Sequence, residues 1–170
     1  AKLLELRVLA VHVDAGWNSE IAVENIQKIC KKLNYDLHTV VVDWETMKEI
    51  QRAFFFSGLA NLDTPQDHVF AAAVFRMARK YNVKYILNGT NLATEGILST
   101  AWQNDTDDIR LIKDVCRKNG RKKINFRKYP HYTFMDKHFW YPRFYKLERV
   151  FILNNIEYSK KAAMDLLKKE

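Results

Sequence analysis

The chain has 170 residues, a formal net charge of +8, and 48 % hydrophobic and 13 % aromatic side chains. That apolar content builds a core and excludes a disordered polymer. No apolar run reaches the roughly 18 residues that a membrane helix needs. Cys30 and Cys116 form neither a C-x-x-C pair nor a disulfide framework, so a reducing, cytoplasmic compartment is expected.

The charge is lopsided. Residues 1–120 carry 15 Lys/Arg and 15 Asp/Glu, whereas residues 121–170 carry 13 and 5. The basic end calls for an anionic partner, and charge alone does not choose among nucleic acid, an acidic surface and a phosphorylated small molecule.

In chain order, Val8 to Val13 is a short apolar run, β-branched apart from its leucine, alanine and histidine, and reads as a strand. Asp14 to Ser19 is a turn-rich loop that ends in good helix-capping residues. Ala22, Ile26, Ile29, Cys30 and Leu33 then recur at helical spacing. A second strand over His38 to Asp43 leads to a helix with Met47, Ile50 and Phe54 on one face, broken at Gly58 and Asn61. Thr64 as N-cap and Pro65 at the first helical position open a helix whose apolar stripe runs from Phe70 to Tyr81. Lys84 to Leu87 reads as a third strand, and Asn88 to Asn91 as the loop that leaves it. Strands alternating with helices predict a parallel α/β architecture with right-handed crossovers. Beyond residue 100 the spacing predicts a helix over Asp105 to Asn119 closed by Gly120, a broken basic-aromatic stretch, and a last helix over Ser159 to Glu170. The opening residues Lys2 to Leu6 read as the tail of a helix, which leads us to expect a strand and loop ahead of Ala1.

Ligands of open α/β sheets bind beyond the carboxyl ends of the strands. Two loops occupy such ends, Asp14 to Ser19 and Asn88 to Glu95, and in each a glycine (Gly16, Gly89) lets backbone approach a ligand closely. The plain alternative is that both glycines only make tight turns.

Within these elements, the stretches LAVHVDAGWNSEIAVENI, DTPQDHVFAAAVFRMARKYNVKYILNGTNLATEGIL and Ala101-Trp102 resemble the N-acetyl sugar amidotransferases of bacterial surface-polysaccharide pathways. These are PP-loop ATP pyrophosphatases of the adenine-nucleotide α-hydrolase superfamily. The likeness covers most of residues 7–115 and weakens beyond residue 120. It implies a three-layer, Rossmann-like parallel sheet over residues 1–104, with a mostly helical, basic extension over 105–170. It also implies a reaction. ATP, with Mg2+ neutralising the departing pyrophosphate, activates the acetamido oxygen of a nucleotide-linked sugar, and ammonia displaces that oxygen to leave an acetamidino group. Such chemistry would serve lipopolysaccharide O-antigen or related glycan synthesis.

Carried over by position, the resemblance lays Val13, Asp14, Ala15, Gly16 and Trp17 along the adenosine, with Gly89, Thr90 and Asn91 beside the α-phosphate. It makes Glu95 a metal or positioning carboxylate, and puts Gln66, Asp67, His68 and Trp102 toward the sugar or the ammonia path. The family's S-G-G-x-D-S phosphate loop is not found in these residues, so the 170 residues alone are not expected to cleave ATP. Neither cysteine stands on a nucleophile turn beside a histidine, so ammonia is expected from a separate glutaminase subunit. A homodimer is left open.

Each residue also has a plainer reading. Asp67 stands in a first helical turn, where acids complement the dipole, and His68 reads equally as a hydrogen-bonded helix histidine. Glu95 reads as a solvated loop carboxylate and Trp102 as packing. Asp105, Asp107 and Asp108 resemble a metal cluster but also open a helix, and His131 and His138 lack partners for zinc. Residues 121–150 hold nine Lys/Arg, two acids and nine aromatics. That mixture suits an anionic sugar nucleotide, an interface, or stacking on single-stranded RNA. Nucleic acid is not the expected partner. The rival functions are a PP-loop tRNA-modifying enzyme and a non-catalytic adenine-nucleotide-binding module.

Overall fold

A computed structural model describes residues 1, 4–90, 107–155, 159, 161, 164 and 165. The chain is α/β. Strand β1 (Leu9–Asp14) lies parallel to β2 (Asp36–Val41), with Leu9 opposite Asp36 and Asp14 opposite Val41. The crossover between them is helix α1 (Glu20–Leu33). Ser19 Oγ caps it by accepting from the Ala22 amide at 3.2 Å, and Asn34 ends it in the left-handed region. Helix α2 (Trp44–Phe55) starts on Asp43, whose Oδ1 accepts from the Thr46 amide at 3.0 Å and from the Thr46 hydroxyl at 2.5 Å.

Helix α3 (Thr64–Lys80) begins one residue earlier than the sequence predicts. Asp63 holds the N-cap position, and Thr64 is already helical and buried, its hydroxyl donating to the Asn61 carbonyl at 3.1 Å. Strand β3 (Tyr85–Asn88) follows, then helix α4 (Ile109–Asn119), whose Asp108 cap accepts from the Arg110 amide at 2.9 Å.

The stretch expected to be mostly helical contains a strand. Residues Glu148–Phe151 form β4, parallel to β3, with Tyr85 opposite Glu148 and Asn88 opposite Phe151. Ahead of it stands a π-helical segment, Asp136–Phe144, with Pro142 inside. Most of the predicted last helix lies outside the described residues. Among the described residues the four strands form two separate parallel pairs, β1–β2 and β3–β4. No helix of the described residues is long and apolar enough to cross a membrane.

One apolar cluster ties the elements together. It joins Val13 of β1, Met47, Ile50 and Phe54 of α2, Val69 and Ala73 of α3, and Ile109, Ile112 and Val115 of α4. It therefore draws on both sides of the boundary expected at residue 104. Tyr129 completes it, fully buried, its hydroxyl donating to the Pro65 carbonyl at 2.7 Å. A second cluster packs Tyr132 and Tyr141 on Ala72 and Phe75 of α3. Of the nine aromatics of the basic stretch, Tyr129, Tyr132 and Tyr141 thus serve as core and Phe126 packs against it, while Phe134, Phe139, Trp140, Phe144 and Tyr145 stay exposed.

Candidate functional site

Two places collect the residues singled out by the sequence. The first is the turn leaving β1. Asp14 Oδ1 accepts from the Gly16 amide at 2.9 Å and from the Asn18 side-chain amide at 3.3 Å, closing the turn on itself. Gly16 sits at φ +86°, and a Cβ there would stand 2.3 Å from Cε3 of Trp44. The glycine therefore makes the tight turn and also admits the Trp44 ring. Trp17 meets that ring edge-on, centroids 5.2 Å apart, and is 53 % exposed. The side chains of Val13 and Ala15 are buried, so only their backbone is available to a ligand. Beside this corner the Thr46 hydroxyl, then the Thr46 amide, hold the Asp43 carboxyl below its ordinary range, and Lys128 approaches it at 3.5 Å.

The second place is a groove of about 1580 Å³ that runs between β1 and β3 over α3. Asn88 and Thr90 reach it from the end of β3, where Asn88 Oδ1 accepts from the Thr90 amide at 3.0 Å. Gly89 is exposed, with open space where a side chain would be. Asp67, Asp107 and Tyr132 also line the groove. Desolvation, and after it the charge of Asp63, raise the Asp67 carboxyl above its ordinary range. The Tyr132 hydroxyl donates to Asp107, which is also paired with Lys137.

Gln66 is half-buried and His68 fully buried. The His68 ring stacks on Tyr132 at 4.4 Å and lies nearly parallel to Tyr129 at 6.1 Å, and its Nε2 accepts from the Tyr132 amide at 3.4 Å. Of the Gln66–His68 trio, Asp67 therefore faces the groove, while His68 is held among tyrosines. Asp107 and Asp108 are satisfied by protein partners, Asp108 being lowered chiefly by its bond to the Arg110 side chain. Among the described residues no three His, Cys, Asp or Glu side chains gather where a metal ion could be held. Asn91, Glu95, Trp102 and Asp105 lie outside the described residues.

The structure brings Asn88, Thr90 and Asp67 to one groove, but Asp14 to Trp17 do not line it. Three contributors escaped the sequence reading. Trp44 opens the helix after β2, and Tyr132 and Lys137 come from the basic-aromatic stretch. The only signal for Trp44 was an aromatic placed directly after a strand end, in the manner of Trp17.

Comparison with protein-family models, with curated proteins and with solved structures finds no match to this chain.

Proposed function

We propose that the chain is the nucleotide-handling part of an ATP-dependent amidotransferase of the PP-loop type, with the three-layer parallel sheet that class implies. It converts the N-acetyl group of a nucleotide-linked sugar to an acetamidino group, with ammonia from a partner glutaminase. The observation that carries this reading is the aromatic corner at the carboxyl end of β1. There Gly16 admits the Trp44 ring, and Trp17 stands edge-on to it with its own ring half open to solvent.

An adenine base stacks on such a surface, since every base presents a π-face. The amide of exposed Gly89 at the end of β3 suits a phosphate oxygen, the neighbouring Thr90 amide being bonded to Asn88 Oδ1. Asp67, at the groove and with its carboxyl raised above the ordinary range by desolvation and then by the charge of Asp63, suits an amide or ammonia. ATP, when bound, supplies the adenylyl group that turns the acetamido oxygen into a leaving group.

Nucleotide binding is the first test. ATP titrated into the chain by calorimetry binds, and Trp17→Ala weakens it about 10- to 100-fold, the range of one lost stacking contact. Equal affinity in the variant removes this site from consideration. Because these 170 residues alone are not expected to cleave ATP, turnover is tested on a polypeptide that also carries an S-G-G-x-D-S loop, and is read as pyrophosphate release that requires both a UDP-linked N-acetyl sugar and ammonia. Release that requires tRNA instead would establish the RNA-modifying alternative, for which the exposed Phe139, Trp140 and Phe144 beside Arg143 and Lys146 are the favouring observation. ATP binding with no turnover on either substrate would leave a nucleotide-binding module.

A further inference from the structure

The π-helical segment Asp136–Phe144 gathers three aromatic rings on the surface. Backbone bonds there reach five residues back, as from the Tyr145 amide to the Trp140 carbonyl at 3.2 Å. Side chains four and five positions apart therefore meet. Trp140 and Phe144 stand 4.7 Å apart between centroids and Phe139 and Phe144 5.8 Å, and Phe139 is edge-on to Trp140 at 5.3 Å. Phe139, Trp140 and Phe144 are 41 %, 42 % and 62 % exposed. Tyr141 between them turns inward and is buried against Phe75 of α3 at 4.6 Å, which fixes the segment to the body of the fold.

Bases stand around these rings. Arg143 and Lys146 are exposed within and just after the segment. Arg79 of α3 lies over the Tyr145 ring at 5.4 Å, Arg76 precedes it by one turn, and the charges of both reach Tyr141. Two acids, Asp136 and Glu148, oppose these four bases, and Asp136 Oδ2 is turned back onto the Thr133 amide and hydroxyl at 2.7 and 2.8 Å. The rim is positive.

We propose that this face anchors the chain on a bilayer that carries anionic phospholipid. Phe139, Trp140 and Phe144 enter the headgroup layer, and Arg76, Arg79, Arg143 and Lys146 meet the lipid phosphates. The anchor is independent of the amidotransferase reading, because no nucleotide contact enters it.

Three observations select this occupant. A second copy docked face to face would set the same bases against each other, a repulsion that an anionic bilayer replaces by attraction. Stacking on RNA, the other use of these rings, needs a row of like-facing platforms, and no two of the three come nearer than 40° to parallel. Their open surface is roughly 300 Å², taking about 200–250 Å² for a whole aromatic side chain. That is small for the apolar part of a stable protein interface of about 800 Å² a side. A shallow wedge flanked by cations needs no more.

The probe is a pair of large vesicles, phosphatidylcholine alone and phosphatidylcholine with about one-third phosphatidylglycerol, mixed with the 170-residue chain at about 0.1 M salt and separated by flotation. The chain is expected to float with the anionic vesicles and to bind the neutral ones at least about tenfold more weakly. Anionic vesicles brominated high on their acyl chains are expected to quench part of the tryptophan emission. That part is expected to vanish in Trp140→Phe, which keeps a ring in place. Arg143→Glu with Lys146→Glu is expected to weaken anionic binding about tenfold. Lys28→Glu with Lys31→Glu on α1, an equal change of charge, is expected to leave it within about twofold. No flotation, equal binding to both vesicles, quenching unchanged in Trp140→Phe, or equal losses in the two charge variants would each overturn the proposal. So would a chain that ignores both vesicles and uses these rings to dimerise or to bind single-stranded RNA.

Discussion

Replacing Gly16 by alanine tests the corner on which the nucleotide reading stands. Two costs are expected. At φ +86° an L-residue loses about 1–2 kcal/mol relative to glycine. The added Cβ would stand 2.3 Å from Trp44 Cε3, whereas ordinary contact begins at 3.4 Å, so the indole must retreat by about 1 Å. Trp44 opens α2 and abuts Trp17, so the movement is resisted, and about 1 kcal/mol more is reasonable for a partly exposed ring. The sum, about 2–3 kcal/mol, lowers Tm by roughly 5–10 °C for a domain of this size. Urea denaturation and differential scanning calorimetry measure it. A double-mutant cycle with Trp44→Ala separates the terms, because removing the indole removes the steric cost and leaves the backbone cost. A Gly16→Ala variant within 0.5 kcal/mol of the parent would refute the reasoning. So would a loss that is unchanged in the Trp44→Ala background, since the contact with the ring would then contribute nothing.

Other outcomes follow from the same structure. Tyr129→Phe keeps the packing of the core but leaves the buried Pro65 carbonyl without its donor, so a loss of about 1–3 kcal/mol in urea denaturation is expected. Asp43 has a folded pKa below its unfolded value, so its contribution to stability is fully present above the ordinary carboxylate range and is lost as pH falls through the folded value. The Tm gap between the parent and Asp43→Ala is therefore expected to be widest near neutrality and to narrow in acid; a gap that widens in acid would contradict the capping role. Burial pushes the Cys116 thiol up to about 12, and Cys30 is buried too. A thiol reagent at pH 8 is expected to label neither cysteine on the time scale at which both react in denaturant.

The first half of the fold was legible because its signals were local. The β-branched run through Val13, the Ser19 cap and the Met47–Ile50–Phe54 stripe are each decided within a few residues. The start of α3 was misplaced by one residue because the Thr64 hydroxyl turns back to Asn61, a choice that depends on the loop before it. Strand β4 was invisible for a different reason. Glu148-Arg149-Val150-Phe151 has two charged residues and only four positions, and it becomes a strand because β3 offers it an edge. The site divides in the same way. The Asp14–Gly16 turn is written in adjacent residues, whereas the approach of Tyr132 to His68 and Asp107 joins segments that no spacing rule connects.

The pairing of β3 with β4 has a consequence for synthesis. Asn88 is made about 60 residues before Glu148, so at about 5–20 residues per second β3 waits several seconds for its neighbour. The β1–α1–β2 unit, whose partners lie close in sequence, is complete long before that. A nascent chain therefore carries a finished first unit and a bare strand at the same time. That interval is when a chaperone, or a wrong partner, has its best opportunity to capture the chain.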